Sequence, residues 1–515
     1  MRDIELVLLL LVLVTALTII ARRLTVPYPI VMVLGGLVLS RIPGLPEFEL
    51  PPDLVFFVFL PPLLFAGGYF TSIREFKANL RPIVTLAFGL VIFTAAVVAV
   101  VAYALVPSLG WAGAFALGAI VSPPDAVAAT AIFQRVGVPR RIVTILEGES
   151  LVNDATALVI YRFAVAAVAA GTFSLLDAGM SFVVVLIGGI AVGLVVGFAG
   201  EWLLTNIRDT AIAVTITLLA PYAAYLGAES IGVSGVLATV VGGLLARGAT
   251  RRSSSDVRVV ATGAWQILLF LLNGLVFMLI GLQLPSVLRG LTADLSRVAT
   301  VTAAICAAVV IARIVWVYPA SYLPRLIPAV ARHDPNPPWQ AVFVVGWSGL
   351  RGVVSLAAAL ALPASFPERD LILFLVFAVI LVTLVGQGLT LPLVIKKLGV
   401  VSRDDASHDE VHARGLTTEA ALARLEEMRA QWPGHLELVD QLRDRYEHRA
   451  RHDEQHHEDG GAAEQELLEH GLIRREVIDA ERRAALDLYE RGVIAEDVLR
   501  RLERDLDLED LRMEA

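Results

Sequence analysis

The sequence predicts an all-α polytopic membrane protein with a soluble helical tail, and three observations carry that reading. Of the 515 residues 57% are hydrophobic and the mean hydropathy is +0.71; about thirteen apolar runs are long enough to cross a hydrocarbon layer of about 30 Å. The fifth and twelfth of these runs are broken near their middles. Charge is also segregated: from residue 401 on, 17 Arg and no Lys stand against 31 Asp and Glu, a net charge of −14, whereas the first 400 residues carry +6. A transmembrane domain over 1–399 and an acidic helical tail over 400–515 follow. The single cysteine, Cys306, excludes a disulfide framework and a Cys-rich metal site.

The first run, Ile4 to Ile20, has its strongest basic flank, Arg22-Arg23, after it, so it is expected as an uncleaved helix rather than a signal peptide. Further spans are expected at Pro29 to Ser40, Leu54 to Phe70, Ile83 to Val106, Trp111 to Phe133, Glu149 to Ala170, Phe182 to Leu204, Ala211 to Leu226 and Val233 to Leu245. The last four are Gln266 to Leu284, Val298 to Leu323, Ala341 to Leu362 and Leu371 to Val394. With the N-terminus outside, seventeen basic residues fall in inside loops and five outside, the bias expected of a cytoplasmic face. The tail is then cytoplasmic. Within it, Ala420, Leu422, Leu425 and Met428 recur at helical spacing, as do Leu467, Leu468, Leu472 and Ile473. Arg449 to Gly461, RARHDEQHHEDGG, interrupts that pattern and reads as a solvated linker, since it lacks the ligand spacing of a histidine metal site.

The most polar stretch of the apolar body is Glu147 to Thr156, EGESLVNDAT. It places Asp154 one to two turns inside a membrane helix, where an aspartate costs roughly 3 kcal/mol to insert and ordinarily faces a water cavity that serves ion or proton movement. Val121-Ser122-Pro123-Pro124-Asp125 breaks the fifth span by removing two amide donors. Gly346-Trp347-Ser348-Gly349-Leu350-Arg351-Gly352 weakens the twelfth. Irregular backbone at membrane depth survives only where protein or water covers it. The two broken spans lie seven apart, an odd offset that reverses orientation, which is the pointer to an inverted-repeat secondary transporter with a midplane site. Asp154, Asp125, Ser150 and freed carbonyls near Pro124 supply the oxygens a hard monovalent cation wants, and Asn153, next to Asp154, is counted with them among the cation- and proton-binding residues. The same carboxylate takes a proton instead, and whether Asp154 alone or the Asp125/Asp154 pair holds it is a matter of coupled titration. Arg162 and Arg313 lie in spans without an evident partner, and Asn273 is a lone amide suited to helix packing or to the site.

These motifs resemble the monovalent cation:proton antiporter-1 family, the NhaP-like and NHE-like sodium/proton exchangers, over residues 1 to about 400. Glu149-Ser150-Leu151-Val152-Asn153-Asp154 is similar to the family's GESLxND, Asp125 to the acid of its unwound helix, and Gly349-Leu350-Arg351-Gly352 to its GLRG. Leu60-Pro61-Pro62-Leu63-Leu64-Phe65 and Asn273-Gly274-Leu275-Val276-Phe277 are similar to further family segments. The resemblance implies an NhaA-like inverted-repeat fold in a homodimer in the cell membrane, exchanging sodium, potassium or lithium for protons without catalytic chemistry, cofactor or nucleic acid. It implies Asp154 as the ion and proton carrier, a structural ion pair between Glu149 and Arg351, and, through the amide at Asn153, an electroneutral 1:1 cycle. Two departures stand out. Pro124-Asp125-Ala126 replaces the Thr-Asp-Pro of many relatives, leaving only the Pro124 carbonyl as ligand there, and Ala66 replaces a glutamate found in several bacterial relatives. The alternatives are a cation channel or sensor, which needs a continuous selectivity filter, and an intramembrane aspartyl protease, whose Gly-x-Gly-Asp type motif is absent.

Overall fold

The computed structural model describes residues 2–24, 26–42, 51–170, 175–290, 295–401, 405–458, 462–491 and 493–514, among which no strand occurs. It divides into two compact units, Met1–Ser402 and Arg403–Ala515. The first contains α1 (Arg2–Leu24), α2 (Tyr28–Leu39), α3 (Pro52–Phe70), α4 (Leu80–Leu105), the broken pair α5 (Gly110–Val121) and α6 (Ala126–Val136), and α7 (Arg140–Ala170). It continues through α8 (Leu175–Asn206), α9 (Thr210–Ser230), α10 (Gly235–Arg252), α11 (Ser255–Leu282) and α12 (Leu295–Tyr322). A second broken pair, α13 (Trp339–Trp347) and α14 (Val353–Leu360), precedes α15 (Arg369–Leu398). Among the described residues nine segments are long and apolar enough to cross a membrane, with Tyr28–Leu39 and Gly235–Thr250 as shorter apolar helices.

Helices alone fit this composition, because lipid offers the backbone no hydrogen bonds. Where proline removes a donor, the chain finds a replacement. Pro62 cannot meet the Val58 carbonyl, which accepts the Tyr222 hydroxyl at 3.2 Å, and the turn Val55–Phe59 widens to π geometry.

The helices pack as two groups. One joins α4, α5, α6, α7, α12, α13, α14 and α15; the other joins α1, α2, α3, α8, α9, α10 and α11. In the second group backbones touch where side chains are missing. A Cβ on Gly243 of α10 would strike the Phe65 carbonyl of α3, and one on Gly281 of α11 would strike the Val33 carbonyl of α2. Such small-residue contacts favour close helix association in lipid.

The second unit holds α16 (Asp405–Gln431), α17 (Leu436–Glu458), α18 (Ala462–Glu490) and α19 (Glu496–Glu514). Ion pairs Arg429–Asp440 and Arg443–Glu426 join α16 to α17, and Arg482–Asp507 joins α18 to α19. The expected interruption at Arg449 to Gly461 is corrected in part: α17 runs on to Glu458, because this stretch has neither Pro nor Gly before Gly460 and its Arg, Glu and Gln are good helix formers. Residues 459–461 and the side chains of Leu467, Leu468, Leu472 and Ile473 lie outside the described residues.

Between α12 and α13, Asp334 gathers three guanidiniums. Arg141 donates at 2.6 Å, Arg325 at 2.8 Å, and Arg81 contacts the same carboxylate. Partial burial pushes the Asp334 carboxyl up, but hydrogen bonds and charge from Arg141 and Arg325 outweigh that and hold it below its ordinary range. A carboxyl lowered by folding contributes stability at pH values above its unfolded value and loses it as pH falls through the folded one. Asp334→Asn is therefore expected to lower thermal stability by about 1.5–3 kcal/mol at pH 7. The gap from wild type should stay constant down to pH 5 and close only below about 3.9. A gap that closed between pH 7 and 6 in thermal melts would contradict this clasp.

Candidate ion-binding site

The site begins with the two breaks, which face each other. Pro123 and Pro124 lack the amides that would close the last turn of α5, so its carbonyls need other donors. The Ser122 hydroxyl takes Ala119 O at 3.0 Å, and Arg351, from the other break, donates from Nε to Val121 O at 3.0 Å and from Nη2 to Ser122 O at 3.4 Å. The end of α13 is finished in the same way. The Ser348 hydroxyl takes Val345 O at 3.0 Å, and Arg313 Nε donates to that carbonyl at 3.2 Å. Each half-helix C-terminus, a locus of partial negative charge, thus meets a buried arginine.

The Asp125 amide donates to Leu350 O at 2.6 Å, tying break to break. The start of α6 is capped by Asp125 itself, whose Oδ1 accepts from the Val127 amide at 2.8 Å, and by Ser150, whose hydroxyl accepts from the Ala126 amide at 3.3 Å. A Cβ on Gly352 would land on the Asp125 carboxylate, and one on Gly349 would fall on Arg313 and 2.8 Å from the Arg351 guanidinium. Glycine is required at both positions by the side chains that cross them.

Asp154 projects from the middle of α7, 7% exposed, into a cavity of about 490 Å³ at the seam of the two helix groups. Asp125, Pro124, Ser150, Asn273 and Gly352 line the same cavity, and so does Ala66. Asn153 does not. It is fully buried behind the wall, and its Nδ2 donates to Pro124 O at 2.8 Å while Oδ1 has no partner.

The expected pairing of Glu149 with Arg351 is corrected. Glu149 accepts a bidentate pair from Arg313, at 2.6 and 2.8 Å, with both side chains essentially unexposed. Arg351 has spent its donors on Val121 O, Ser122 O and Gly349 O, so carbonyl ends hold it where a carboxylate was expected. Arg313 thereby gains the partner its sequence position did not reveal. Arg162 also finds one: both Glu229 oxygens at 2.9 Å, half-exposed, linking α7 to the end of α9.

Several polar cavity residues were not assigned to the site from the sequence, Ser355 and Glu147 among them. Ser355 is 2% exposed, and its hydroxyl has no partner. Thr130, Thr156 and Thr383 bond back to carbonyls of their own helices. Ser355, in the first turn of α14, has only the non-helical Arg351 and Gly352 behind it, and the break three residues upstream was the available signal. Glu147, seven residues before Asp154, lines the cavity toward the ends of α3 and α6, and heptad spacing was its signal.

Broken helices crossing beside a buried carboxylate pair define a secondary ion antiporter of the inverted-repeat class. The chain belongs to the sodium/hydrogen exchanger transmembrane family, which matches residues 8–397. It is 35% identical over 516 residues to an uncharacterised Na(+)/H(+) exchanger of Mycobacterium tuberculosis (strain ATCC 25618 / H37Rv), covering 96% of this chain and 93% of that one. It is 34% identical over 440 residues to a sodium, potassium, lithium and rubidium/H(+) antiporter of Bacillus pumilus (strain SAFR-032), covering 82% of this chain and 65% of that relative's length. The solved sodium proton antiporter of Methanocaldococcus jannaschii at pH 8 superposes with a TM-score of 0.56 at 19% identity, over 77% of this chain and 99% of that one.

Breaking the Glu149–Arg313 pair strands a buried charge, so Glu149→Gln or Arg313→Met alone is expected to cost about 3–5 kcal/mol of stability. The double replacement should cost less than the sum of the two, by about 0.5–3 kcal/mol. Thermal denaturation of the four proteins measures this. Strict additivity would argue against the contact, and so would a larger coupling of Glu149 to Arg351.

Proposed function

We propose that Asp154, with Asp125 beside it, holds either a proton or one monovalent cation and carries them in opposite directions across the cell membrane. The observation that carries this reading is the shared cavity: the Asp154 and Asp125 carboxylates and the Ser150 and Ser355 side chains line one space, with Pro124 beside them and its carbonyl held by Asn153. These are hard oxygen donors, suited to sodium, with potassium and lithium as further substrates. Gly352 and Gly349 clear room for the acid and the arginines; Asn273 completes the far wall. The Glu149–Arg313 pair and Arg351 are structural.

Exchange follows from competition. Cation and proton cannot share the carboxylate, so rocking of the α4–α7 and α12–α15 group against the other moves one out and then the other back. The cavity opens toward Phe70, Thr71 and Gln134, and Arg162–Glu229 joins the groups at the opposite end of α7. With thirteen spans and the N-terminus outside, that mouth is cytoplasmic, Arg162–Glu229 closes the outer side, and the acidic second unit is a cytoplasmic regulatory tail. Two copies assemble as a homodimer.

In proteoliposomes with an imposed pH gradient, Asp154→Asn should fold normally yet abolish cation-coupled proton movement, since an amide cannot exchange a proton. Ser355→Ala should retain exchange with an apparent KM for sodium raised about fivefold, the equivalent of about 1 kcal/mol for one lost oxygen contact. Robust exchange by Asp154→Asn would overturn the site.

Stoichiometry is a separate test. One carboxylate charge swapped for one cation moves no net charge, so the reversal pH gradient should ignore membrane potential. A cycle moving one charge would gain roughly 2.3 kcal/mol per 100 mV, more than the ~1.36 kcal/mol of one pH unit. A reversal point tracking a valinomycin-clamped potential, with sodium as the tested ion, would show a second proton on the cycle.

A further inference from the structure

A second cavity of about 600 Å³ opens beside Asp334, at the membrane side where the ion cavity has its mouth, and shares no lining residue with it. Among the described residues its wall carries Arg81, Arg141 and Arg325 and no acidic side chain. We propose that this cavity binds the phosphate headgroup of an anionic phospholipid.

Charge is the first argument. Asp334 neutralises one of the three guanidiniums it contacts, which leaves two positive charges over. These guanidiniums are also held in place. Arg325 is 5% exposed and donates to Ser321 O and Asp334 O as well as to the carboxylate, while Arg141 Nε donates to Asn79 Oδ1 at 3.1 Å. Such a fork-shaped donor set suits phosphate oxygens. Arg81 and Arg141 remain 32% and 46% exposed, so the surplus charge is accessible. The Asn336 and Gln340 amides stand on the same wall.

The apolar part of the lining selects the source of the phosphate. Leu86, Ile142, Ile145 and Val317, from α4, α7 and α12, form it. A free phosphate gains nothing from that surface, whereas the glycerol and first methylenes of a lipid bury against it. Basic groups near an anionic leaflet contribute about 1 kcal/mol each, close to fivefold in affinity.

The test is native mass spectrometry and thermal melting of the full-length protein in detergent, with added phosphatidylglycerol, phosphatidylcholine or inorganic phosphate. Phosphatidylglycerol should be retained and should raise the melting temperature; the other two should do neither. Arg141→Gln and Arg81→Gln should each weaken retention about fivefold, and Asp334→Asn, which frees a third guanidinium, should strengthen it by about as much. Ile145→Trp leaves the charges in place but fills the cavity, and should abolish retention. Equal retention of phosphatidylcholine would mark lipid held non-specifically around the helices, and equal stabilisation by phosphate would make this a soluble-anion site. Either result would overturn the assignment, as would an Asp334→Asn protein that binds no better than wild type or an Ile145→Trp protein that binds as well.

Discussion

The structure depends on one constraint: two spans end in mid-membrane, and every backbone group they leave open must be met by protein. Prolines create the openings in one span and glycines permit them in the other. The donors that close them are two buried arginines, Arg351 on the end of α5 and Arg313 on the end of α13. Two guanidiniums in the interior would be prohibitive without a counter-charge, and Glu149, bonded to Arg313 at 2.6 Å, is the carboxylate they share the region with. The acid that ensures folding therefore lies five residues before Asp154 on the same helix. The ion pair and the breaks are one construction, and the Asp125 and Asp154 carboxylates line the cavity beside it.

That arrangement also explains why the site has any freedom. The first helix group is bound internally by break-to-break hydrogen bonds, and the second by glycine-mediated backbone contacts such as Gly243 on Phe65 O. Between them a cavity opens in an otherwise packed seam, where Leu151 and Ala155 of α7 meet Leu60 and Leu64 of α3 and Val236 and Leu237 of α10. Relative movement of the two groups would leave the hydrogen bonds inside each of them in place.

Much of this was legible in the sequence because it rests on rules with a local signature. Apolar length, double proline and glycine density located the breaks, and the cost of a buried acid singled out Asp154. What failed was partner choice. Glu149 had two buried arginines within reach of its helix, and hydropathy carries no information on which guanidinium meets a carboxylate and which meets carbonyls. The resemblance favoured Arg351, while Arg313 has the bidentate geometry. Arg162 had no evident partner by position, and it ends on Glu229 across the seam. Ser355 was passed over because a serine in an apolar helix ordinarily bonds to its own backbone. Only its place just after the break denies it that partner.

Asn153 is the residue whose meaning changes most once the contacts are known. The sequence places it beside Asp154 and suggests a ligand, yet it lies behind the cavity wall with its Nδ2 on Pro124 O. The amide's task is to donate a hydrogen bond to the carbonyl just before Asp125, fixing the backbone from which that carboxylate and the start of α6 project. A carboxylate in its place has no hydrogen to give. An aspartate there could keep the Pro124 contact only with its proton on, and would confront the carbonyl as a second anion once the proton left. The same position that serves as a permanent strap with an amide becomes, with a carboxyl group, a strap that closes and opens with a proton. In the proposed one-site cycle the amide of Asn153 therefore holds the break without taking a proton of its own. Exchanging Asn for Asp would add a proton-holding group to the backbone of the break while leaving the Asp154 carboxylate on the other side of the wall untouched.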